Sequence, residues 1–275
     1  MNYLELVHRL SELGVDSPTA EAAELADAVS NKSREWCLLN QTADLPNADS
    51  LAASLDKRST GIPLQYIIGR AWFYGHRFNV SENCLIPQPD TEHVTELAIN
   101  NMVSNAKLLD LCTGSGCIAI SVLLSCPDAT AVAVDISSPA LDIAKSNASL
   151  HGVDRRLEII KSDVLRDDIS KLIASADVIV SNPPYVNSDV IPALSPEVQH
   201  EPRLALDGGA DGLVFYRHFI SALSKHMQHS AVMILEIGYD QHERIARLCK
   251  SAGLSCRFHR DFGGNIRVAE IRRNQ

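Results

Sequence analysis

Seven short apolar runs, spaced by helical patterns, fill the chain from about residue 90 onward. They are Lys107–Leu111, Thr130–Val134, Leu157–Ile160, Asp177–Val180 and Val232–Leu235, with two more near 255–260 and 266–271. Helical stretches lie at Ile118–Leu124, Ser138 to about Leu150, Leu213 to about His226, and Gln241 to Ala252. An irregular, proline-rich stretch runs from 181 to about 212. Strands that alternate with helices form an open, mostly parallel sheet covered on both faces. The expected fold class is therefore α/β, with a seven-stranded sheet. With 45% hydrophobic residues, the 275-residue chain can bury a sizeable core, and aromatic content of only 5% makes that core aliphatic.

Residues 1–70 read differently, as short helices. Leu4, Val7, Leu10 and Leu13 recur at helical spacing and Gly14 marks a stop. Ser17-Pro18 reads as an N-cap followed by a first-turn proline, and Asn47 as the cap of a helix carrying Leu51 and Leu55. Residues 1–60 hold five Lys/Arg against ten Asp/Glu. This suits either solvated helix faces or a docking surface for a basic partner. Trp72 to Val80, a polar Ser81-Glu82-Asn83 and Cys84-Leu85-Ile86 read as a β-hairpin, ended by Pro87 and Pro89. The expected organisation is a helical domain at 1–70, a hairpin linker at 71–89 and a catalytic domain at 90–275.

Several classes are disfavoured. No apolar run approaches 18 residues, which argues against a membrane span. The start, Met1 to Glu5, lacks a basic region before an apolar one and so reads as no secretory signal. The seven cysteines are scattered without a C-x-x-C, which points to free thiols in a reducing cytoplasm. The ten histidines form no metal-like cluster, so no metal is expected. A net charge of −9 counts against a large nucleic-acid footprint.

Two features carry chemistry. The first is Cys112-Thr113-Gly114-Ser115-Gly116, between a strand and a helix. Small residues there let a ligand approach the backbone, and the helix N-terminus adds free N–H groups. The next strand ends in Asp135, whose two oxygens can accept both hydroxyls of a ribose. This pair fits nicotinamide, flavin or S-adenosylmethionine cofactors, and also a ligand-free tight turn. The dinucleotide pattern G-x-G-x-x-G is not met, and S-adenosylmethionine has no pyrophosphate to cradle.

The second feature is Asn182-Pro183-Pro184-Tyr185, directly after the strand Asp177–Val180. Ligands of open α/β sheets bind beyond the carboxyl ends of the strands, so glycine loop, Asp135 and tetrapeptide should share one cleft. The Asn182 side-chain oxygen and the Pro183 carbonyl can each accept an N–H from a planar NH2 group. Consecutive prolines hold that carbonyl rigidly. Tyr185 can pack its ring on the planar target. The bland alternative is a Pro-Pro turn that closes a strand, with Asn182 capping its own backbone. Glu92 and Glu236 lie near the expected cleft; Glu236, at the carboxyl end of a strand, reads either as a support for the substrate or as a surface carboxylate. His200 reads as structural.

These motifs resemble the peptide chain release factor glutamine N5-methyltransferase family. The resemblance covers nearly the whole chain. It takes in Gly61 to Gly69, Phe73-Tyr74-Gly75, Leu85 to Glu92, Asp110 to Gly116 and Asn182 to Tyr185. It continues through Glu201 to Gly209, Leu235 to Gly238 and Asp261 to Arg267. It implies a Rossmann-like, S-adenosylmethionine-dependent methyltransferase with a helical N-terminal domain. The substrate implied is the glutamine of the Gly-Gly-Gln loop of class I release factors, with no stable nucleic-acid partner. It implies a cofactor site at Cys112, Thr113, Gly114, Ser115, Gly116, Asp135, Val164 and Asn182, with Asn182 to Tyr185 holding the glutamine. Cys112 stands where the family usually has glycine, Gln88 where it has arginine, and Val164 where it often has an aromatic residue. The alternatives are methylation of adenine N6, methylation of a ribosomal-protein glutamine, or a non-catalytic binding module.

Overall fold

The computed structural model describes residues 1–261 and 263–274. The first 70 residues form α1 (Tyr3–Glu12), α2 (Pro18–Ser30), α3 (Arg34–Leu39), α4 (Ala48–Ser59) and α5 (Leu64–Ile68). A hairpin of β1 (Arg70–Phe73) and β2 (His76–Asn79) follows, then α6 (Glu92–Asn101). The alternating part runs β3 (Lys107–Leu111), α7 (Cys117–Ser125), β4 (Thr130–Asp135), α8 (Ser138–Leu150), β5 (Leu157–Lys161), α9 (Ser170–Ser175) and β6 (Val178–Ser181). Two short helices, α10 (Pro196–Gln199) and α11 (Arg203–Leu206), interrupt the proline-rich stretch. The chain ends with α12 (Val214–His226), β7 (Val232–Glu236), α13 (His242–Ser251), β8 (Leu254–Arg260) and β9 (Ile266–Arg273).

The seven-stranded sheet has the order β5-β4-β3-β6-β7-β9-β8. Its first five strands are parallel, and β9 runs antiparallel to both neighbours. Successive strand residues point to opposite faces, so each apolar run feeds two cores. Leu109, Ile179, Met233 and Leu235 join Tyr216, Phe219, Leu223 and Ile245 of α12 and α13 on one face. Leu108, Val178, Val180 and Ile234 join Val94, Ala98, Ile120 and Ala148 of α6 to α8 on the other.

The chain divides into two compact units. One is Met1–Arg70 with Ser195–His200, and the other is Ala71–Leu194 with Glu201–Gln275. The hexapeptide is held to the first unit by Arg58, a buried guanidinium that grips Glu21 with two hydrogen bonds and Glu197 with a third. The hairpin is built into the second unit, where Phe73 and Phe78 are buried. Among the described residues, no helix is long and apolar enough to cross a membrane.

Four local expectations need correction. In α1, Leu4 and Leu13 are exposed, and the buried face is Tyr3, Leu6 and Leu10. Leu4 and Leu13 are nine residues apart, about two and a half turns, so they lie on opposite sides of the helix. Asn47 has left-handed backbone and makes no cap bond; its Nδ2 donates to the Val29 carbonyl instead. Ser17 and Pro18 do stand at the N-cap and first position of α2 as expected, but the Ser17 side chain makes no cap bond. The hairpin turns at Tyr74-Gly75, both at positive φ (50° and 76°), as a tight two-residue turn requires. Cys84–Ile86 is not a strand; the Ile86 N–H donates to the Glu201 carboxylate.

Candidate active site

The sheet order places a topological switch between β3 and β6: the chain leaves β3 toward β4 and β5, then returns to its other side. Open sheets bind ligands beyond the carboxyl ends of the strands at such a point. Both sequence motifs sit there. The glycine loop leaves β3 and the tetrapeptide leaves β6, and the Ser181 hydroxyl ties the two strands by donating to the Leu111 carbonyl at 2.6 Å.

The loop is pinned from below. Asp110 is fully buried, and its Oδ2 accepts from the Thr113 hydroxyl and the Ala119 N–H. Its Oδ1 is buried without a hydrogen-bond partner. Burial lifts this carboxyl to about 7, against the two hydrogen bonds that favour its charge. Asp135, at the end of β4, accepts from the Gly114 N–H through Oδ2 and from the Ser137 N–H through Oδ1, both at 2.9 Å. Each oxygen keeps a further lone pair. Burial raises its pKa while these N–H groups oppose the rise.

Cys112 has φ of 60°, so this non-glycine residue does sit in the left-handed region. Its half-buried side chain packs against the α12 side core. Burial raises its thiol well above the ordinary range. At Gly114 an added Cβ would meet nothing within 4 Å, which leaves the backbone open to close approach. At Gly116 it would come 3.0 Å from Ile120 Cδ1 and 3.3 Å from Ala144 Cβ, so glycine there serves the packing of α7 on α8.

Asn182 donates from Nδ2 to the Thr91 hydroxyl at 3.0 Å. Thr91 donates to Glu236 Oε2 at 2.5 Å, and the Tyr185 hydroxyl donates to Glu236 Oε1 at 3.2 Å. Glu236, the last residue of β7, is 2% exposed. Desolvation lifts it to about 7; Thr91, Tyr185 and Arg267 act against that and Asp90 adds to it. Pro183 and Pro184 are buried. The Tyr185 carbonyl accepts from Gln241 Nε2, and an added Cβ at Gly208 would lie 2.7 Å from Tyr185 Cα. The tetrapeptide is thus clamped from outside the strand.

One cavity is lined by Cys112–Ser115 and Asn182 on one side, and by Ile86, Gln88 and Thr91 on the other. Asp135 joins this group through its bond to Gly114. Val164, which the resemblance places over the adenine, is buried in the α12 side core and is not in the lining. Glu92 accepts from the Tyr74 N–H in the hairpin turn, and His200 bonds the Thr60 carbonyl. Sequence reasoning passed over Thr91 and Asp110; only their place inside the two resembling stretches marked them. Another cavity, of about 530 Å³, lies at the amino ends of β3 to β5, away from both motifs.

The chain matches the Methyltransferase small domain family over residues 89–233 and the PrmC N-terminal domain over residues 4–69. A ribosomal protein L11 methylase from Lactobacillus delbrueckii subsp. bulgaricus shares the fold, with a TM-score of 0.51 and 20% identity over 71% of this chain and 84% of that one. Fold and cleft together define an α/β methyltransferase. A release factor glutamine methyltransferase from Agrobacterium fabrum is 35% identical, across 96% of this chain and 94% of its own length. A second, from Cereibacter sphaeroides, is 36% identical across 90% and 88%. The chain belongs to the release factor glutamine methyltransferase family.

Proposed function

We propose that this enzyme transfers a methyl group from S-adenosylmethionine to the side-chain amide nitrogen of the glutamine in the Gly-Gly-Gln loop of class I release factors. The observation that carries the reading is Asn182. Its Nδ2 donates to Thr91, which leaves Oδ1 for an incoming N–H beside the glycine loop. Asn182 Oδ1 and the Pro183 carbonyl hold the target NH2, and Tyr185 frames the planar group. Holding the nucleophile in line matters because an amide lone pair is delocalised and reacts poorly.

The residues present suit the donor. Gly114 is open to close approach, and Asp135 keeps lone pairs for ribose hydroxyls. Cys112 to Gly116 form the floor, and Val164 supports it from the core. When bound, the donor supplies a methyl on a cationic sulfur that leaves as a neutral thioether. The methylated amide sheds its proton to water. Residues 1–70 dock the release factor; the match of 4–69 to the PrmC N-terminal domain supports that. The site of action is the cytoplasm, where release factors work.

A second reading has one specific support. A ribosomal protein uL3 glutamine methyltransferase from Burkholderia pseudomallei is 37% identical over 202 residues, 70% of this chain and 66% of its own length. The test separates them: labelled methyl donor is incubated with release factor, uL3, RNA or DNA. Label should appear on the release factor and vanish in its Gln→Ala loop variant. Label confined to uL3 or nucleic acid would refute the assignment. Asn182→Ala should remove most turnover with the fold intact.

A further inference from the structure

We infer that Glu236, acting through Thr91, dictates which end of the Asn182 amide faces the target nitrogen. The inference rests on the glutamine-methylation reading and deepens it. Glu236 is a positioning residue here, since it reaches the cleft only through other side chains.

An ionised carboxylate only accepts hydrogen bonds. Glu236 Oε2 lies 2.5 Å from the Thr91 hydroxyl, so the single hydroxyl proton of Thr91 is committed to Glu236. Toward Asn182, Thr91 can then only accept. The amide nitrogen of Asn182 meets that demand at 3.0 Å. Turning the amide over would set two oxygens face to face at this distance. The carbonyl end of Asn182 is therefore held toward the cleft, where an NH2 target needs an acceptor. The Tyr185 hydroxyl donates to the other carboxylate oxygen, so one buried acid orients both polar ends of the tetrapeptide.

Protonation undoes this. A carboxylic acid can donate to Thr91, and the freed Thr91 hydroxyl can donate to the Asn182 carbonyl. The amide would then offer NH2 to NH2 and reject the target. The groups facing Glu236 are Thr91 and Asp90 before α6, Tyr185 after β6, Arg267 on β9 and Tyr216 on α12, whose hydroxyl donates to the Glu236 backbone carbonyl. Asp90 and Arg267 pair with each other at 3.2 Å and largely offset one another at the carboxyl. Burial dominates and brings Glu236 to about 7, so the two states exchange near neutral pH.

The test uses the full enzyme with labelled donor and release factor, from pH 6 to 9. The wild-type kcat should rise up to tenfold per pH unit below about 7 and level off above it. Thr91→Val should lose about 100-fold in kcat at pH 8, keep KM and donor affinity within about twofold, and flatten the acid limb. Thr91→Ser should recover to within a few-fold of wild type. Glu236→Gln should also lose the acid limb. A Thr91→Val enzyme with wild-type kcat, or an acid limb that survives in Glu236→Gln, overturns the inference. A readout without turnover accompanies these. The Asn182 side-chain NH2 resonance, assigned by its loss in Asn182→Ala, should titrate near pH 7 in wild type and stay flat in Glu236→Gln. Titration of that resonance in both proteins overturns the inference as well. If the wild type leaves the release factor unlabelled, the substrate reading falls, and the resonance still decides this one.

Discussion

The side-chain amide of Asn147, on α8, donates a 2.9 Å hydrogen bond to the carbonyl of Ser115 in the glycine loop. The same side chain accepts from the Asn79 N–H at 2.7 Å and donates to the Asn79 carbonyl at 3.0 Å. One fully buried amide thus joins the hairpin to the glycine loop.

Asn147→Ala should leave three backbone groups short of a partner. The expected loss of stability is about 2–4 kcal/mol, since each buried unsatisfied group costs about 1–3 kcal/mol and partial relaxation recovers some. Donor affinity should fall several-fold because the loop loses its lateral tie. Urea unfolding and calorimetry check the two effects.

Cys112 makes an opposite prediction. A side chain at φ of 60° carries about 1 kcal/mol of backbone strain that glycine does not. Cys112→Gly loses some thiol packing but sheds that strain, so its melting temperature should stay close to wild type. Cys112→Val puts a β-branched residue in the left-handed region and should cost about 2 kcal/mol or more. Equal stability of the two variants would refute the strain.

The pH dependence of stability follows from Asp110 and Glu236. Both are lifted by burial to about 7, against about 4 in an unfolded chain. The fold therefore favours their protonated forms. That contribution is complete below about pH 4 and is lost as pH rises through 7. Carboxylates whose pKa is lowered, such as Asp207 and Asp211, titrate below this window in both states. The melting temperature should be higher at pH 5.5 than at pH 8, and Asp110→Asn should shrink the difference. A flat profile in the wild type would contradict the burial argument.

Arg58→Met should loosen the helical unit. The Arg58 side chain is 5% exposed and pairs with Glu21, 17% exposed, and Glu197, 50% exposed. Removal leaves Glu21 without its partner. The expected cost is about 2–3 kcal/mol, below the full value for a buried pair because Glu197 is half solvated. Hydrogen exchange in α1 to α5 should quicken while donor binding stays within about twofold.

Much of the α/β unit was legible because its strands are buried on both faces. Runs such as Val178 to Val180 and Val232 to Leu235 must then be apolar throughout, and their spacing reveals the helices between them. The helical unit was harder. Its small faces rest on three or four residues, and a spacing of three picks out Leu4 and Leu13 as readily as Leu6 and Leu10. Turn chemistry also misled. Tyr74-Gly75 lacks the usual Asn-Gly signal, while Ser81-Glu82-Asn83 looks like a turn and leads into a segment with no strand partner. In the site, the tetrapeptide announced itself through its prolines. The Thr91–Glu236 relay did not, because a hydroxyl and a carboxylate 145 residues apart form no pattern until the sheet closes around them.

The tie between Arg58 and Glu197 spans 139 residues. A ribosome adding about 5–20 residues per second needs roughly 7–28 s to make that stretch. During that interval the helical unit stands with its central cation half paired, and α10 has yet to be synthesised. A nascent chain arrested before Pro196 should therefore carry a looser amino-terminal module than the finished enzyme. Expression of 1–70 alone would reproduce the immature state, not the native one.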